Sequence, residues 1–101
     1  MELIDEVKNY LDITYDDEET DRKLSGIVER GKAYLNSIAG KEQDYTEEGK
    51  AKELLLDYAM YVRAGSLAEF QRNYQHELIA LRIQNAVSEE KSDGTEETTN
   101  V

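Results

Sequence analysis

The sequence predicts an all-α protein: a small bundle of four helices followed by a disordered acidic tail. Three observations carry that prediction. Apolar residues recur at helical spacing in four separate stretches. The chain contains no proline, so nothing covalent forces those stretches to break. The one alternating run, residues 11–15, is too short and isolated to build a sheet, and is expected to be an extended connector. At 101 residues the chain fits one domain, with residues 1–87 as the helical unit and 88–101 as the tail.

The first helix is expected over residues 2–11, where Leu3, Val7, Tyr10 and Leu11 share one face and Ile4 widens it. The second is expected over residues 17–39. Thr14 or Asp16 is a suitable cap, and Asp16, Asp17, Glu18 and Glu19 suit the positive end of a helix dipole. Its stripe is Leu24, Ile27, Val28, Gly31, Leu35 and Ile38, and Gly40 is a natural stop. Gly31 inside the stripe implies close approach of a neighbouring helix.

After a polar loop at residues 41–45, the third helix is expected over residues 47–64. Thr46 would cap it, and Ala51, Leu54, Leu55, Tyr58 and Val62 form its stripe. Gly65 ends it. Ser66 and Glu69 then form a capping-box pattern that opens a fourth helix over residues 67–87, with stripe Leu67, Phe70, Tyr74, Leu78 and Leu81. The short joint makes the last two helices a hairpin.

The net charge of −11 is unevenly spread. Residues 1–21 hold nine acids and one base, residues 22–87 nine acids and ten bases, and residues 88–101 five acids and one base. The middle is balanced and both ends are acidic. The final stretch, SEEKSDGTEETTNV, has too little apolar surface to offset the entropy of ordering itself. The overall charge argues against holding a phosphate backbone. No cysteine means no thiolate nucleophile and no cysteine zinc site, and a single histidine removes a histidine-rich metal site. No apolar run approaches the roughly 18 residues of a membrane span. The opening MELIDEVK lacks a basic n-region and an apolar h-region, so a cytosolic, reducing origin without a signal peptide is expected.

The third and fourth helices carry apolar residues on two faces. Leu56 and Met60, with Arg63 beside them, point away from the Leu55/Tyr58/Val62 stripe. Ile79, Ile83 and Val87, with Ala86, lie opposite Tyr74, Leu78 and Leu81. A domain this small has too little interior to wrap a helix on every side. Leu56, Met60, Arg63, Ile79, Ile83 and Val87 are therefore the expected protein-interface residues.

No enzyme is expected, and no catalytic, cofactor-binding or metal-ligating set is assigned. The acids from Asp16 to Asp21 lack the spaced oxygens and turn glycine of a calcium loop, and read as a helix N-terminus and a solvated patch. His76, with Glu77 or Asp57 as conceivable partners, reads as a surface histidine. Ser25 and Ser37 have no nucleophile context, and Ser66 is explained by capping. There is no glycine-rich phosphate loop, and Lys50 and Lys52 are offset by Glu47, Glu48 and Glu53. Among the tyrosines, Tyr10, Tyr58 and Tyr74 are expected in the core, and Tyr15, Tyr45 and Tyr61 at an interface.

Two stretches carry a family resemblance. VKNYLDITYDDEETDRKLSGIVERGKAYLNSIAG resembles the first half of the small head–tail connector (adaptor) proteins of tailed bacteriophages and prophages. LLLDYAMYVRAGSLAEFQRNYQHELIALRIQNAV is similar to that family's later pattern, through Leu54–Tyr58, Tyr61, Phe70, Tyr74, Glu77, Leu78, Leu81 and Arg82. The resemblance implies a structural neck protein with no catalytic residues and no cofactor. Its partners would be the portal protein, a neck or tail-completion protein, and further copies of itself in a ring that lets DNA pass without specific binding. Its place would be the virion neck, after the bacterial host cytoplasm, with no membrane involved. The alternative left by the residues alone is an acidic helical binding module or DNA-mimic regulator, motivated by the −11 charge.

Overall fold

The computed structural model describes the backbone of residues 2–94 and the side chains of residues 2–86. It is all-helical over those residues, but with five helices rather than four: α1 (Leu3–Tyr10), α2 (Glu18–Ala39), α3 (Lys50–Arg63), α4 (Leu67–Asn73) and α5 (Gln75–Gly94). The central element is α2, against which α1, α3 and α5 all pack. Val7, Leu24, Leu35, Leu54, Leu55, Phe70 and Leu81 are the fully buried large side chains.

The stripe of α2 faces the core as its spacing predicts, and Gly31 is buried within it. A Cβ at Gly31 would lie 2.7 Å from Leu55 Cδ1 and 2.8 Å from Tyr58 Cδ1. Glycine thus sets how closely α2 and α3 approach. Gly40 ends α2 in the left-handed region, at φ 87°. The N-cap is neither Thr14 nor Asp16 but Asp17, whose carboxylate accepts the Thr20 N–H at 3.0 Å and the Thr20 hydroxyl at 2.6 Å. Those bonds to Thr20 hold the Asp17 carboxyl below its ordinary pKa.

Residues 11–15 are not an extended connector. Asp12 takes φ 60°, with Asp12 N–H donating to the Asn9 carbonyl at 3.2 Å and Ile13 N–H to that of Lys8 at 2.8 Å. This left-handed C-terminal motif buries Ile13. Lys8 then ties α1 to the start of α2, 3.2 Å from Asp16 and 3.0 Å from Asp21. The alternating pattern was a buried turn residue between exposed neighbours, not a strand.

The third helix starts at Lys50, three residues later than its sequence pattern predicts, with Gly49 rather than Thr46 at its N-cap. Thr46 is drawn into a local turn, donating its N–H (2.9 Å) and hydroxyl (2.5 Å) to Asp44. Tyr45, expected at an interface, is only 5% exposed. Its hydroxyl donates to Asn36 Oδ1 at 2.8 Å and fastens the loop to α2.

Gly65 (φ 75°) closes α3: its N–H reaches the Val62 carbonyl at 2.9 Å, and the Ser66 N–H reaches that of Tyr61 at 2.8 Å. The Ser66 side chain makes no capping bond; instead its carbonyl accepts the Glu69 and Phe70 N–H groups. The expected single helix over 67–87 is broken at Tyr74 (φ −108°, ψ 16°). Phe70 explains the break. It is fully buried among Tyr34, Tyr58, Tyr61 and Tyr74, and its ring stacks on Tyr74 at 4.7 Å. α4 packs on α3 while α5 packs on α2, and the bend at Tyr74 serves both. Leu67, expected in the core, is 37% exposed at the start of α4.

The last helix runs to Gly94, past the expected helix end at residue 87. Of the expected disordered tail, residues 95–101 lie outside the described residues.

Candidate functional site

Of the expected interface residues, Ile79 lines one groove and Met60 and Arg63 line another, while Ile83 is exposed outside both. Ile79 and Ile83 project from α5, 49% and 57% exposed. Ile79 lines a groove of about 540 Å³ between α2 and α5, together with Tyr34, Ile38, Leu78 and Arg82. The groove forms because α5 lies on α2 through Leu78 and Leu81, leaving the next face outward.

On α3, Met60 (39% exposed) and Arg63 line a second groove of about 470 Å³ with Tyr10, Leu11 and Asp12. Leu56 is half-buried and packed on the core, beside Tyr10, Glu6 and Lys52. The two grooves share no lining residue. The side chain of Val87 lies outside the described residues.

Charge distinguishes the grooves. The lining of the α2–α5 groove contains one charged residue, Arg82, and no carboxylate, on a chain of net charge −11. The α1–α3 groove contains both Arg63 and Asp12. Its geometry depends on polar pins. Lys52, 4% exposed, bridges Glu6 on α1 and Glu48 at 2.8 Å, and those hydrogen-bonded carboxylates raise its pKa.

Tyr10, expected in the core, is exposed on α1, and its hydroxyl donates to Asp57. That bond, with burial, pushes the phenol up to about 12. Tyr74 is also raised, first by burial and then by Asp57. Tyr61, expected at an interface, packs edge-on against Phe70 and Tyr74. Tyr15 is exposed. Tyr34 was not singled out from sequence. Its only signal was a position four residues before Ile38, on the flank of the α2 stripe.

His76 is exposed on α5, and Asp57 is engaged by Tyr10 instead. Among the described residues there is no group of three or more His, Cys, Asp or Glu side chains placed to hold a metal ion. Among them, too, no helix is long and apolar enough to cross a membrane. No known protein family, curated protein or solved structure matches the chain.

Proposed function

We propose that the chain is a structural subunit of a tailed-phage or prophage neck. It would form a ring below the portal protein, extend the DNA channel and dock a tail-completion protein. The observation that carries this reading is the presence of two different exposed grooves on one small subunit, one largely uncharged and one carrying both Arg63 and Asp12. A subunit held between ring neighbours, a portal and a tail-completion protein needs more than one exposed docking surface, and in a ring the contact between copies is heterologous. The pattern Leu54–Tyr58, Tyr61, Phe70, Tyr74, Glu77, Leu78, Leu81 and Arg82, which resembles the head–tail connectors, supports the specific assembly. Acidic residues near a channel would repel DNA phosphates and let the duplex slide.

The test is assembly. The purified chain is mixed with portal protein from the same genome and imaged by electron microscopy. A ring stacked on the portal is the expected result, and portals left bare at saturating chain concentration would overturn the proposal.

A further inference from the structure

We infer that the α2–α5 groove receives the acidic Tyr15 corner of a second copy of this chain, in a head-to-tail contact. This deepens the ring reading and rests on it for the expectation that the contacts close.

Two observations meet here. The groove is apolar at Tyr34, Ile38 and Ile79, cationic at Arg82, and free of lining carboxylates. It therefore suits an occupant that pairs an apolar or aromatic anchor with negative charge. The chain itself carries such a segment. Tyr15 is 53% exposed and is followed by Asp16, Asp17, Glu18 and Glu19, all exposed. Asp16 and Asp17 are committed to Lys8 and to the cap of α2, which leaves Glu18 and Glu19 as the carboxylates to meet Arg82. Tyrosine is enriched at interface cores because it joins a large apolar ring to a polar tip.

Geometry makes the contact intermolecular and directional. Tyr15 precedes the N-terminus of α2, whereas Tyr34 and Ile38 lie in its final turns. Across a helix of 22 residues the two ends are about 33 Å apart. One copy cannot fill its own groove, and the two patches differ, so the contact is heterologous and propagates into a ring or filament.

The chain has no cysteine, so engineered thiols report proximity without background. With Tyr15→Cys and Ile79→Cys in the same chain, mild oxidation is expected to give a ladder of covalent oligomers. An equal mixture of the two single variants is expected to give the mixed dimer over either homodimer. Adding Arg82→Glu to the double variant should slow crosslinking about three- to fivefold, as for loss of an exposed ion pair. Further adding Glu18→Arg and Glu19→Arg should restore it. Salt at about 1 M should also slow it, since the screening length falls to about 3 Å. Circular dichroism of each variant checks that the helices persist.

No ladder at any concentration up to the solubility limit, or homodimers as the main product, overturns the contact. The outcome is separable from that of the neck reading. Rings on the portal without 15–79 crosslinks would sink only this interface. Crosslinked oligomers that leave the portal bare would sink only the neck assignment.

Discussion

Replacing Gly31 with alanine probes the α2–α3 packing, and Gly26→Ala in the same helix provides the reference. Both substitutions gain the same intrinsic helix propensity, about 1 kcal/mol. They differ in what the new methyl meets. At Gly26 the nearest atom is Arg30 Nη1 at 3.2 Å, the far end of a flexible side chain that can swing aside. At Gly31 the neighbours are Leu55 Cδ1 at 2.7 Å and Tyr58 Cδ1 at 2.8 Å, from side chains that are 0% and 5% exposed. Forcing a methyl into that contact costs about 1–3 kcal/mol. Gly26→Ala should therefore be stabilising, and Gly31→Ala should fall below it by about 1–3 kcal/mol. For a domain this size the gap in Tm is at least about 4 °C.

Thermal melts and urea titrations followed by circular dichroism measure both variants. Combining Gly31→Ala with Leu55→Ala should cost less than the two single changes added together, because the second substitution vacates the space the first needs. A Gly31→Ala protein as stable as Gly26→Ala, or full additivity with Leu55→Ala, would refute the close-approach argument.

Other outcomes are expected on the same grounds. Phe70→Ala removes the ring around which Tyr34, Tyr58, Tyr61 and Tyr74 are arranged, and should cost about 3–5 kcal/mol in chemical denaturation. Ile83→Asp, on an exposed site, should change stability by no more than about 0.5 kcal/mol yet reduce portal-dependent assembly; an equal loss of helical signal would place Ile83 in the core instead. Tyr45 is pushed up to about 12, first by burial and then by Glu42. Its folded pKa lies above the unfolded value of about 10, so its contribution is complete below about pH 10 and is lost as pH rises through 12. Lys8, Lys52 and Tyr10 are raised as well and add to the same alkaline loss, so Tyr45→Phe should flatten the fall in Tm over that window without abolishing it. An unchanged slope in Tyr45→Phe would contradict the assignment.

Legibility varied along the chain for physical reasons. The core face of α2 and the Leu54/Leu55/Tyr58 stripe of α3 were readable because helical periodicity is a local property and both helices bury one strong face. Gly31, Gly40 and Gly65 were readable because each marks a steric or dihedral requirement that few other residues meet. Thr46 misled because a hydroxyl residue has several local partners, and here Asp44 won; at Ser66 the backbone carbonyl, not the hydroxyl, accepts the Glu69 and Phe70 N–H groups. The interface candidates Ile79 and Ile83 emerged exposed, since α5 has a second apolar stripe with nothing of this domain to cover it.

What the sequence alone determined was helical class, the inward faces of α2 and α3, the turn glycines, and the concentration of acid at the ends. Each depends on residues within a few positions of one another. The tertiary structure decided the break at Tyr74, the burial of Tyr45, the exposure of Tyr10 and the placing of Ile79 in one groove and of Met60 and Arg63 in another. Those depend on contacts between segments distant in sequence, such as Phe70 with Tyr34 and Tyr45 with Asn36. Pattern along the chain sets which face of a helix is apolar. Only packing sets which part of that face a neighbour covers.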